Sequence, residues 1–534
     1  HATKDYVDMA AHLEAVPDAR AVVNFAPVLL EQIDDYAAQV RGYLHEHKAL
    51  RDPLLAALVE PVLPAHPERR LELINNCLRV NRERVIDRFP AYRRLVNLVE
   101  PFRDNLNDLI YISDQFLSDL VFWYHLGWIG ETVRRNDLRM QRWQEQGSNF
   151  ALHDRRELLV LIGDLLAGVI DRYARLAEAG RVELSVSPYA HPIIPLMLDM
   201  QSAREAMPDV QLPELEFYQG GEERARWHIR EGLSIFQRYF GRQPVGCWPA
   251  EGSVSAATLE LLGEYGFRWA ATGETVLHNS LAAAPGGAAG AAPDALFKGY
   301  RLSDTGPVCF FRDDNLSDEI GLTYSGLHAD DAVANFIHHL ENIATSHGRR
   351  DLAVAIVLDG ENAWEHYPDN GYHFLRALYE QLAAHPRLKL STFAECLDQG
   401  VAVAPLETLV SGSWVYGSFS TWVGDRDKNR GWDMLGDAKR AFDRVIAAGT
   451  LDSDQIAAAQ LQLSVCEGSD WFWWFGDYNP ADSVSDFESL YRMHLGNLYQ
   501  LLGLEPPEYL AHTFARGSGR PAMGGVMRHG QARD

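Results

Sequence analysis

Val354-Ala-Ile-Val-Leu-Asp359-Gly-Glu-Asn-Ala-Trp364-Glu-His-Tyr367 decides how the chain is read. It begins as a continuous apolar run, the pattern of a strand buried on both faces of a parallel sheet. The run stops at Asp359, and Gly360 permits a sharp turn into a polar, aromatic segment. A carboxylate at the carboxyl end of a buried parallel strand sits where α/β enzymes place their chemistry. A lone Asp there is most often a turn cap. Gly246-Cys-Trp248-Pro-Ala-Glu251-Gly-Ser-Val-Ser255 has the same design, however, so two carboxylates end two strands, each beside a Gly and a Trp.

Outward from these stretches, strand and helix alternate. Ala21–Phe25, Val182–Ser187, Phe267–Ala271, Val308–Phe311 and Leu388–Ser391 read as further strands. Arg155–Ala179, Glu223–Phe240, Ser255–Tyr265, Asp330–His347 and Tyr372–His385 read as helices. The pattern predicts an α/β fold built on a parallel barrel over residues 1–400, with a helical insertion at about 50–150. Residues 281–294, almost wholly Ala, Gly and Pro, read as a flexible surface loop. Residues 401–512 read as a Trp-rich C-terminal helical domain, and 513–534 as a flexible tail with little to bury.

At 534 residues the chain is too long for one ordinary domain, and 47% hydrophobic residues suffice for a sizeable core. A formal net charge of −25 repels nucleic acids and anionic membranes and suits a neutral substrate. The five cysteines (Cys77, Cys247, Cys309, Cys396, Cys466) are scattered and form no CxxC pair, which predicts reduced thiols in a cytoplasmic protein. No run of eighteen apolar residues and no leader-like start is present.

Two carboxylates facing each other across a barrel mouth are what retaining cleavage of a glycosidic bond requires. One attacks as an ionised nucleophile; the other, its pKa raised, delivers a proton, with the two about 5–5.5 Å apart. Glu251 and Asp359 are the candidates. Trp248, Trp364, Trp414 and Trp422 offer flat apolar faces for sugar rings, with core packing the bland alternative for each. Arg312-Asp313 ends another strand at the same face, as an orienting pair or as a structural ion pair.

Gly246–Ser253 and Val357–Asn362 resemble the nucleophile and acid/base regions of glycoside hydrolase family 57. Ser187-Pro-Tyr189-Ala-His191-Pro is similar to the family's second region, and Glu467-Gly-Ser-Asp470-Trp471-Phe-Trp473 to its fifth. The resemblance runs from His1 to about Leu510. It implies an incomplete (β/α)7 barrel followed by a helical domain, and action on α-glucans as by amylases, 4-α-glucanotransferases and branching enzymes. It makes Glu251 the nucleophile and Asp359 the acid/base. It places His191, Asp470 and Trp471 around the sugar in the cleaved subsite, and Trp414 and Trp422 along its approaches. It calls for no cofactor and no metal. One departure stands out: the family's opening strand carries a His-Gln-Pro motif that is missing here, so the chain reads as clipped at its start.

Rival readings remain at this level. Resolution of the glycosyl-enzyme by a sugar hydroxyl makes a glucanotransferase or branching enzyme rather than an amylase. A metal-dependent deacetylase has weak support, since His191 lacks a neighbouring Asp–His partner or an HxxxH pair. A non-catalytic glucan-binding protein is the third.

Overall fold

The computed structural model describes residues 1–103, 105–284 and 292–519. Seven strands form one sheet: β1 Ala21–Phe25, β2 Val182–Val186, β3 Gly246–Cys247, β4 Trp269–Gly273, β5 Gly299–Arg301, β6 Val308–Arg312 and β7 Val403–Pro405. Their order is β1-β2-β3-β4-β6-β5-β7. The first four and β6 run parallel, while β5 turns back antiparallel on β6 and β7 runs parallel to β5. With the helices around it this is an incomplete (β/α)7-type barrel followed by helices at the C-terminal end.

β4 and β6 are buried at every residue, as strands covered on both faces must be. β3 passes beside the Trp269 indole only because residue 246 is glycine: a Cβ there would lie 1.8 Å from the ring. The indole N–H then donates to Glu183 on β2 at 2.5 Å. Between β1 and β2 the described residues form no strand, only helices joined by turns, including Pro27–Glu46, Pro53–Val59, Pro67–Cys77, Pro90–Val99, Asp114–Gly127 and Leu152–Glu178. Four of these begin with proline, whose preset φ and missing N–H suit the first helical position.

The structure corrects several expectations. Residues 354–359 do not form a ladder strand; they make one parallel bridge, Ala355 to Arg312, and only Ala355 is buried. The reason is β5, unforeseen in the sequence, which pairs Tyr300 with Cys309 and so occupies that edge of β6. Leu388–Ser391 likewise has no ladder pairing. Of the loop expected at 281–294, the first residues belong to the helix Glu274–Ala283, and 285–291 lie outside the described residues. Residues 513–519 are tied down: Phe514 packs on Phe475 at 5.0 Å, and the Ser518 and Gly519 amides donate to Asp477 and Asn479 carbonyls. Residues 520–534 lie outside the described residues.

The helices Arg426–Ala448, Ser453–Cys466, Ser469–Trp474 and Ala481–Leu501 share a core with the barrel segment 193–218, through Ile193, Leu196, Met197 and Tyr218. No helix among the described residues is long and apolar enough to cross a membrane. A buried charge joins the two parts. Glu467 accepts hydrogen bonds from Arg224 Nε and Nη2 (2.9 and 2.7 Å), from the Tyr218 hydroxyl (2.6 Å) and from His228 Nε2 (2.8 Å). His228 Nδ1 in turn accepts the Ala190 N–H at 3.4 Å, which selects the neutral ring protonated on Nε2.

Burial alone would push the Glu467 carboxyl up, but Arg224 and His228 outweigh it and hold it at about 2. Burial lowers the pKa of His228 against the pull of that carboxylate. Both groups therefore bind protons more readily in the unfolded chain, and both destabilise the fold as pH falls. The Glu467 contribution is complete above its ordinary value of 4.5 and fades toward 2. Glu467→Gln leaves Arg224 buried without its countercharge and should cost about 3–5 kcal/mol at neutral pH. Urea titration should show that deficit at pH 7 and a smaller one at pH 3, where the wild-type chain has lost part of the interaction.

Candidate active site

Ser187, just past β2, staples three strand ends together. Its amide donates to the Phe25 carbonyl (3.2 Å), its hydroxyl donates to the Trp248 carbonyl (2.8 Å), and it accepts from Asn24 Nδ2 (2.9 Å). The loop continues to His191, held at φ 60°. His191 Nδ1 lies 2.9 Å from the Ser469 hydroxyl, and the Ser469 amide donates back to the His191 carbonyl at 3.0 Å. Burial lowers the imidazole pKa, with Asp470 and Asp359 pulling the other way.

After β3 the chain turns sharply through Trp248-Pro-Ala-Glu251, and Glu251 adopts φ 56°. Its carboxylate Oε2 accepts the Trp414 indole N–H at 3.0 Å, and its carbonyl accepts the Trp414 amide at 3.3 Å. Trp248 meets the same indole edge-on at 5.8 Å. Trp414 fits because β4 ends in Gly273, where a Cβ would stand 2.7 Å from the Trp414 Cα.

Arg312 ends β6, and its guanidinium lies over the Trp414 ring, 5.1 Å from its centre. It donates to the Val357 carbonyl (2.6 Å), to Asp314 (2.8 Å) and to Asp318 (2.5 Å). Val357 is two residues before Asp359, so one buried cation touches the settings of both candidate carboxylates. Burial raises the pKa of Asp359, opposed by the Asn362 amide (3.0 Å) and by the charges of His191 and Arg312. Asp359 is thus a carboxyl whose affinity for its proton is raised by burial, while Glu251 is a carboxylate held by an indole. Among the described residues no group of three His, Cys, Asp or Glu side chains is placed to hold a metal ion.

The other expected residues divide. Trp248 and Trp414 are half-buried beside Glu251, and Asp470 is exposed next to the His191–Ser469 pair. Trp471 is half-buried, its N–H on the Val465 carbonyl and its ring on Tyr491 and His494. Asp313 is buried and caps the following helix, accepting the Leu316 amide at 2.9 Å, so it serves structure. Trp422 has no exposed surface and sits in the C-terminal core against Trp473. Trp364 is buried among Tyr367 and Phe374. Neither presents a face to a ligand.

Sequence reasoning passed over Glu361, Glu274 and Asp314. Glu361, two residues past Asp359, has its carboxyl pushed up by burial and by the Asp359 charge, and accepts from the Tyr6 hydroxyl at 3.4 Å. Burial pushes Glu274 up to about 7 and Asp314 up to about 6. The acidic run Arg312-Asp-Asp314 at a strand end was the only sequence signal for this second layer.

The family model for glycosyl hydrolase family 57 matches residues 1–406, and the chain belongs to that family. Its fold is similar to a family 57 branching enzyme from Thermococcus kodakaraensis solved with glucose (14% identity, 94% of this chain and 84% of that one, TM-score 0.54). It is similar also to an α-amylase from Thermotoga maritima (14% identity, 94% and 87%, TM-score 0.54). A family 57 branching enzyme from Pyrococcus horikoshii matches with 15% identity over 95% and 92% of the two chains, TM-score 0.52.

Arg312→Lys keeps a charge but loses the planar fork that reaches Val357, Asp314 and Asp318 at once. The expected result is a native-like circular dichroism spectrum with kcat reduced by about tenfold to a hundredfold, the scale of a misplaced catalytic group. An unchanged kcat would remove Arg312 from the site.

Proposed function

We propose that the chain is a retaining α-glucan hydrolase in which Glu251 is the nucleophile and Asp359 the general acid/base. The observation that carries this is the hydrogen bond fixing Glu251 to Trp414, whose ring lies 5.1 Å from the guanidinium that also holds the Asp359 segment. Glu251 attacks the anomeric carbon while Asp359 passes its proton to the departing glycosidic oxygen. That step leaves a glycosyl ester on Glu251, and the Asp359 carboxylate then draws a proton from the incoming water. Trp248 and Trp414 offer ring faces beside the nucleophile, and the charges of His191 and Asp470 act on Asp359, which suits groups that hold the sugar near the acid. Membership of family 57 and the likeness to an α-amylase and two branching enzymes support the substrate class. The five cysteines are free, which fits a reducing compartment such as the cytoplasm.

The second reading is transfer, with a glucan hydroxyl in place of water. Two of the similar structures are branching enzymes, which is its support. Products from soluble starch separate the two: short oligosaccharides mean hydrolysis, while altered chain lengths or new branches mean transfer.

Because Asp359 must carry its proton, activity should fall as pH rises through its elevated pKa, placing the alkaline limb above the ordinary carboxylate range. Asp359→Ala should abolish that limb and act best on aryl glycosides with good leaving groups. Azide should then rescue it with a retained product, and rescue Glu251→Ala with an inverted one. Wild-type starch turnover by Asp359→Ala would overturn the assignment.

A further inference from the structure

A cleft of about 400 Å³, lined by none of the candidate site residues, opens between residues 214–219 and the helix Arg426–Ala448. Phe217 stands on its wall with 65% of its surface exposed. An aromatic ring normally hides from water, and here its neighbours prevent it. The side chain of Leu215 is buried and its amide is fixed to Asp433 at 2.9 Å. Tyr218 is buried and bonded to Glu467. With both anchors set, residue 217 can only point outward.

The facing helix is equally fixed. Arg430 lies over the Tyr509 ring at 5.0 Å, and Asp437 accepts the Tyr509 hydroxyl at 3.1 Å and an N–H from Arg440. Beneath the cleft Trp432 stacks on Phe472 at 4.3 Å. Glu214, Glu216 and Gln219 complete a rim of planar polar groups. Four carboxylates against two guanidinium groups leave the lining net negative, which disfavours phosphate, nucleic acid and other anions. No carboxylates converge there as metal ligands among the described residues. A flat apolar ring amid carboxylate, amide and guanidinium groups matches a neutral polyol: CH faces stack on the ring and hydroxyls bridge the rim.

We propose that this cleft is a second carbohydrate-binding site, which holds a stretch of polymeric α-glucan away from the candidate active site. The substrate class rests on the reading given above. The cleft would raise the affinity for polymer over short oligosaccharide by supplying a second point of attachment.

The test uses the full chain carrying Glu251→Gln, so that polymer is bound without being cut. Affinity electrophoresis in gels containing amylopectin gives an apparent dissociation constant. Phe217→Ala should raise it by about fivefold or more, the scale of a lost stacking contact. Phe217→Tyr, which keeps the ring face, should restore it. In the chain with Glu251 intact, Phe217→Ala should raise KM for amylopectin and leave kcat/KM for maltoheptaose unchanged. Equal retardation of Phe217→Ala and its parent, or equal KM for polymer, would overturn the proposal. Loss of maltoheptaose turnover in the wild-type chain is a separate result, and it would overturn the α-glucan reading instead.

Discussion

The charge on Glu467 is the constraint from which the arrangement of the site follows. A carboxylate with no access to water is tolerable only when donors surround it, and here a guanidinium, a phenol and an imidazole do so. Those donors come from residues 218–228, while the acceptor ends the helix Ser453–Cys466. His228 also receives the amide of Ala190, one residue before His191. Two residues past Glu467, Ser469 meets His191 in a reciprocal pair. The barrel loop and the C-terminal helices are thus held in register by one buried ion.

Arg312 is a second buried ion tied to the same cluster, through Val357 and Trp414. Its partners are unequal. Burial raises Asp314 to about 6, and Glu274, which accepts the Asp314 amide, to about 7, while Asp318 is the guanidinium's second carboxylate. The Arg312 charge also acts on Asp359 and opposes the upward push of burial. A catalytic acid working near neutrality needs such a balance rather than either influence alone.

Much of this was legible in the sequence because periodicity reports burial. The apolar runs of β1, β2, β4 and β6 and the long amphipathic helices need no tertiary knowledge to recognise. The run from Val354 to Leu358 misled, because its hydrophobicity is spent on a side cluster with Leu316 and Phe374 rather than on a ladder. What displaced it was Gly299-Tyr-Arg301, three residues with no strand signature, positioned by a neighbour rather than by propensity. Trp414 and Trp422 look alike in sequence. One reaches Glu251 because Gly273 makes room, and the other lies in the core, a difference set by packing between distant segments.

Glu251 holds a left-handed backbone conformation that asparagine or glycine would adopt with less strain, by roughly 1–2 kcal/mol in the case of glycine. Chemistry and durability therefore make opposite demands on this one position. Laboratory evolution that rewards only survival of heat would find an easy gain by discarding the very side chain proposed as the nucleophile. A heat-hardened descendant of this chain can keep its fold, its aromatic setting and its buried ions while having become a glucan-binding shell, and only an assay of turnover run alongside the heat challenge would reveal the exchange.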